Sequence, residues 1–255
     1  MRLHLSSLFL LGALSLLVLV GCKSSSPKAQ KEALPEDLAL KYREDAARLA
    51  VRELNTSRTS GEMEARIPPD RIAFYYDLLS KAYWMSQKDA DVPSDFTGIH
   101  TLGNPHLKEI SVVLENDAEF KSQWANGSTM TANLYLNQLM SRYRLKIQNY
   151  REGALGPSLT LASPTYINTV QLAFILEKID GIKFAQAEGI AGDGDDVTWG
   201  SDSKNAMALK FSKGEGDCPS GCIHRKWWVF YVDAGGEMNY MGTRGQLPSE
   251  GGGED

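Results

Sequence analysis

Apolar residues recur at three- and four-residue steps along two early segments. Leu38, Tyr42, Ala46 and Leu49 mark one stripe, running from Pro35-Glu36-Asp37 to about Leu54. Glu36 and Asp37 stand where the positive end of a helix dipole favours acids. Asn55 to Gly61 breaks the pattern. Ile67-Pro68-Pro69-Asp70 opens a second helix, to about Gln87, with Ile72, Tyr75, Leu79, Ala82 and Tyr83 facing inward. Residues 36–88 are thus expected to form a helical hairpin. Its aromatic residues (Phe74, Tyr75, Tyr76, Tyr83, Trp84) read as core packing.

Residues 89–180 mix both periodicities. Ile110 to Leu114 is β-rich, and Leu145 to Tyr150 alternates. Short helices are predicted over Asp117–Trp124 and Thr131–Tyr143, and a clearer one over Thr165–Ile179, ended by Asp180-Gly181. From 181 to 246 the pattern becomes strands divided by Gly-rich turns: Ile182–Ala185, Val197–Trp199, Ala206–Ser212, Ile223–Val232 and Met238–Met241. Trp227 to Val232 is apolar at every position, which places that strand centrally, with neither face wholly in water. Asp233 to Glu237 is a turn into a hairpin partner. The expected fold is α+β, a helical N-terminal half packed with a C-terminal, mainly antiparallel sheet.

The flanks differ. Met1 to Val20 carries Arg2 and then an apolar run from Leu5 to Val20, too short for the roughly 20 residues of a membrane-spanning helix. It reads as a removed signal peptide over residues 1–21. Lys23 to Pro35 is a Ser/Lys/Ala/Pro/Gln stretch, so residues 22–35 read as a flexible tether. Residues 247–255, with three consecutive glycines and a terminal Glu254-Asp255, read as a disordered acidic tail.

Leu19-Val20-Gly21-Cys22, at the end of the signal-like run, resembles the lipobox of bacterial lipoproteins. That resemblance implies a diacylglyceryl group on the Cys22 thiol, cleavage just before it, and acylation of the new amino group, with palmitate-type chains. More than one chain gives stable anchoring, at ~0.8 kcal/mol per buried methylene. The implied location is the cell envelope. By the enteric sorting rule, Lys23 in place of Asp points to the outer rather than the inner membrane of a Gram-negative cell.

Lipidation of Cys22 leaves Cys218 and Cys222 as a pair in an oxidising compartment. Pro219 and Gly221 can turn the chain sharply enough to join them in a disulfide. Two other readings stay open for this loop. One is thiol–disulfide exchange. The other is a zinc or copper site of Cys218, Cys222 and His224. Gly216-Asp217-Cys218-Pro219-Ser220-Gly221-Cys222, with Gly192 to Asp196 before it and the aromatic strand after it, also resembles uncharacterised exported bacterial proteins. That resemblance carries no activity.

Other chemistry is sparse. Asp193, Asp195 and Asp196 crowd one loop and could offer oxygen ligands to Ca²⁺, but Val197 spoils the EF-hand spacing. His100 and His106 flank a Gly-Asn-Pro turn and, with Glu109, could form an acid–base site. Ser201-Asp202-Ser203-Lys204 matches Ser-x-x-Lys without its partner motifs. Of the 255 residues, 42% are hydrophobic and 23% charged, and the net charge is −5. Only one segment is continuously apolar, which excludes a polytopic membrane protein, and the acidic balance argues against nucleic acid as a partner. No cofactor is expected. The leading reading is a non-enzymatic role, held at the membrane by the lipidated N-terminus, with an envelope protein or a glycan as partner. Trp199, Trp227 or Trp228 would serve the glycan. The alternative is an envelope thiol or metal protein, or an enzyme, built on the cysteine loop.

Overall fold

A computed structural model describes residues 33–56, 64–201 and 206–248. The signal segment, Cys22, most of the tether, the tail beyond residue 248 and most of Ser201–Lys204 lie outside the described residues. The body runs from Leu34 onward. No helix among the described residues is long and apolar enough to cross a membrane.

Helix α1 spans Glu36–Thr56 and α2 spans Pro69–Lys88, each within two residues of the boundaries its pattern predicts. Pro69 opens α2, where a missing N–H is harmless. The two helices pack together through Tyr42, Ala46 and Leu49 on α1 and Tyr75, Leu78, Leu79 and Ala82 on α2. Leu34 already packs against this core, so the tether ends before residue 34 rather than at 35.

The strands fall into two antiparallel four-stranded sheets. The first has the order β2-β3-β1-β4, built from β1 (Glu109–Leu114), β2 (Lys146–Arg151), β3 (Ser158–Ala162) and β4 (Ile182–Ala187). Helices α3 (Lys121–Ala125), α4 (Leu134–Arg142) and α5 (Thr169–Leu176) cover it with their own core around Trp124, Leu136 and Leu172. The second is a meander, β5-β6-β7-β8, from β5 (Asp196–Ser201), β6 (Met207–Glu215), β7 (His224–Val232) and β8 (Met238–Arg244).

The α+β reading holds, and β7 is central as its unbroken apolar run requires. Cross-strand pairing sets Leu209 opposite Phe230 and Phe211 opposite Trp228. With Val197 and Phe96 these form one core with the α1–α2 pair. The first helices therefore pack on the last strands.

Several local expectations need correction. The strand at Ile182 does not join the C-terminal sheet but pairs with β1, Val112 opposite Ala185. Strand β3, five residues after a Gly/Pro turn, carries too short an alternation to stand out. Helix α5 begins at Thr169 because the Asn168 side chain caps the Gln171 N–H. Asn133 likewise caps α4 through the Leu136 N–H. Leu247 is buried, so it belongs to the body rather than to a tail.

Candidate functional site

Helical spacing puts Asp45, Arg48 and Arg52 on the same side of α1 as its apolar stripe, and all three turn toward the loop from Ile99 to His106. Asp45 and Arg48 are buried. The Asp45 carboxylate lies 2.7 Å from His100 Nδ1 and accepts from Thr101 N (2.8 Å) and Oγ1 (2.6 Å). Arg48 donates to Thr101 Oγ1 at 2.7 Å, to the Pro105 carbonyl at 3.2 Å and to Glu44 at 2.7 Å. Burial, and then the Asp45 charge, push the Tyr42 phenol up. A buried charge on each partner is tolerable here because each is hydrogen-bonded on several sides.

Arg52, one turn further on, reaches the C-terminal sheet. It donates to both Asp196 oxygens at 2.9 and 3.1 Å and to the Leu102 and Val197 carbonyls at 3.0 Å. Asp196 Oδ1 also accepts from Leu102 N at 2.7 Å. One carboxylate thus ties α1, the 99–106 loop and β5.

The two Gly-flanked motifs converge. Cys218 and Cys222 stand at disulfide distance, closing a five-residue loop. Asp193 grips that loop: its N–H donates to the Cys218 carbonyl at 2.8 Å, and its Oδ2 accepts from Cys222 N at 3.1 Å. Arg225 on β7 donates to Asp193 Oδ1 at 2.5 Å, to Ser212 Oγ at 2.8 Å and to the Gly194 carbonyl at 2.9 Å. Gly192 has a φ of +100°, and a Cβ there would press on Pro219. Gly214 lies directly beneath Cys222 Sγ, with no room for a side chain.

These contacts bear on the two metal candidates. Asp193, Asp195 and Asp196 do not gather around one point. Asp193 faces Arg225, Asp195 accepts from Gly214 N at 3.0 Å, and Asp196 faces Arg52. Their oxygens accept from arginine and backbone donors. Cys218 and Cys222 face each other, and His224 is exposed at the start of β7. Among the described residues, no group of three or more His, Cys, Asp or Glu side chains is placed to hold a metal. Nor do His100, His106 and Glu109 combine. His100 is bonded to Asp45, while the His106 backbone donates to the Glu188 carbonyl and accepts from Thr169 Oγ1.

The Asp193 carboxyl is lowered to about 2, chiefly by the Arg225 hydrogen bond and then by the Gly194 and Cys222 N–H groups. A carboxyl lowered by folding adds stability above its unfolded value and loses it as pH falls through the folded one. The contribution of this clasp is therefore full above about pH 4 and lost near pH 2. Solvent at the partly exposed Asp193 keeps it modest. Melting temperatures measured across that window should fall less steeply in Asp193→Asn than in the parent protein. An identical slope would mean that the clasp contributes nothing.

Where α1, α2 and β5 meet, a cleft of about 290 Å³ opens. Arg52, Glu53 and Thr56 line one side, Tyr75 another, and Thr198 and Trp199 the third. Trp199 is held edge-to-face against Phe74 (5.6 Å between centroids) and Tyr75 (6.1 Å). Burial and the neighbouring Glu53 carboxylate push the Tyr75 phenol up. Of the other candidate tryptophans, Trp228 is core and Trp227 is 36% exposed. The pattern that flagged Tyr75 as core concealed its second role as a cleft wall. The signal for Asp45, Arg48 and Arg52 was available, since charges embedded in an apolar helical stripe need buried partners. No family model, no curated protein and no solved structure matches this chain.

Proposed function

We propose that this chain is a lipid-anchored protein of the bacterial cell envelope that works by binding rather than by bond chemistry, with the cleft between α1, α2 and β5 as its contact site. The anchor rests on Leu19-Val20-Gly21-Cys22 behind an export-type apolar run. Lys23 favours the outer membrane. The binding role rests on one observation above others. Side chains able to do chemistry (Asp45, His100, Asp193, Asp196 and the cysteine pair) are committed to holding loops and helices together. The aromatic-walled cleft lies beside one of these clamps, Arg52 with Asp196. A concave, largely apolar site with a few fixed polar groups on rigid elements is the usual form of a small-ligand site.

Intact-mass spectrometry of the protein extracted from membranes of its own cells tests the anchor. The expected mass is that of a chain beginning at Cys22 with added acyl groups. A retained leader, or a start at Cys22 with no acyl mass, overturns it. Thiol labelling separates the two uses of the cysteine loop. A structural clasp leaves Cys218 and Cys222 unlabelled until a dithiol reductant is added. Immediate labelling would favour a reactive or metal-binding pair with His224.

A further inference from the structure

We propose that the basic groove between the first half of α1 and the β3–α5 loop seats phosphate headgroups of an anionic membrane surface, the one that holds the anchor. This rests on the anchored reading and adds to it a second contact, made by the folded body.

Charge comes first. The groove, of about 480 Å³, is lined by Leu40, Lys41, Arg43 and Glu44 of α1, by Lys108 just before β1, and by the loop from Pro164 to Tyr166. Glu44 is spent on the buried Arg48, at 2.7 Å. Lys41, Arg43 and Lys108 are exposed, and none of them has an ion pair among the described residues. Arg43 lies over the Tyr76 ring, 5.9 Å from its centroid, and the Lys108 Nζ over Tyr166, at 4.8 Å. Such contacts steady a cation from one side and leave its N–H groups free to donate to phosphate oxygens. Glu36 and Asp37 stand ahead of the groove, at the helix start that favours them.

The charge also extends beyond the groove. Ser163 ties Lys108 to the end of α4: its N–H donates to the Lys108 carbonyl at 2.7 Å and its Oγ to the Tyr143 carbonyl at 3.0 Å. Arg142 and Arg144 flank Tyr143. With Lys146 at the start of β2, they are exposed and also without an ion pair among the described residues. Glu109 is the acid set among them, across Ala162 from Lys146. In a chain of net charge −5, this surplus of cations is local. Each Lys or Arg that reaches an anionic bilayer raises partition about fivefold.

Two observations favour a membrane over a free anion. The first is reach. Eleven residues separate Cys22 from Leu34, which packs into the body just before α1. They span at most about 40 Å, so an anchored chain keeps the first turns of α1 close to the bilayer. The second is Leu40, which lies among the groove cations and is 56% exposed. An apolar side chain beside cations matches the boundary of headgroups and acyl chains, whereas a dissolved anion offers it nothing.

The test uses the whole mature chain with Cys22→Ser, which cannot be acylated. Its probes are vesicles of phosphatidylcholine alone and of phosphatidylcholine with an equal share of phosphatidylglycerol, read by co-sedimentation. At least tenfold more binding to the anionic vesicles is expected, lost in strong salt, where exposed charges are screened. Lys41→Gln with Lys108→Gln should weaken it at least tenfold. Lys213→Gln with Arg244→Gln removes as much exposed charge from the second sheet and should leave it within about twofold. Indifference to anionic vesicles overturns the proposal. So does an equal loss from both pairs, which would mark net charge rather than the groove. So does inorganic phosphate that shifts the Lys108 and Tyr166 NMR signals while vesicles stay unbound, which would make the ligand a free anion. Acyl mass on the native Cys22, together with a body that ignores anionic vesicles, would overturn only this contact and leave the anchored reading standing.

Discussion

Asp45→Ala should destabilise the protein by about 3 kcal/mol or more, since each hydrogen bond to a charged group contributes about 1.5–3 kcal/mol. The carboxylate is 3% exposed and serves His100, Thr101 N and Thr101 Oγ1 at once. Alanine would leave the Thr101 N–H buried without an acceptor, which alone costs about 1–3 kcal/mol. It would also unseat Thr101 Oγ1 from Arg48. Asp45→Asn keeps one accepting oxygen but turns an NH₂ toward donors, so its loss should be intermediate. Urea unfolding of the three proteins measures this. Equal midpoints for all three would show that the network is dispensable.

Phe211→Ala should cost about 3–5 kcal/mol, the usual toll for emptying a large aromatic site in a packed core. Phe211 is fully buried, 4.6 Å from Phe96 and 5.9 Å from Phe230 between ring centroids, and it joins β6 to the α1–α2 core. Lys213, two residues along the same strand, is exposed, and Lys213→Ala should stay within about 0.5 kcal/mol. Comparable losses from the two variants would mean that the described burial of β6 is wrong.

The contrast between these sites explains what could be read in advance. Stripes such as Leu38, Tyr42, Ala46 and Leu49 declare a helix because burial follows its period, and the run from Trp227 to Val232 declares a strand covered on both sides. Which strands share a sheet is a different matter. Ile182 to Ala185 carries the same alternation whether it pairs with β1 or with β5, and only long-range packing decides. The cysteine pair was legible from its spacing and its turn residues. Its union with Asp193 was not, because the contact spans 29 residues through backbone groups that every sequence has. The acidic loop was ambiguous for a related reason: carboxylate density is the same for a metal cage and for a pair of arginine clamps. The clamps need Arg52, 144 residues from Asp196, and Arg225 on β7, which spacing within the loop does not reveal. The cleft was hidden most deeply, since Tyr75, Glu53 and Trp199 come from three separate elements.

Because α1 and α2 share their core with β5 to β8, that core is incomplete until the end of the chain arrives. Contacts so far apart along the sequence close late and slowly. A ribosome releasing this polypeptide therefore delivers the first sheet, which holds a core of its own, before the hairpin can find its final partner. The topology itself postpones closure of this core to the last residues made.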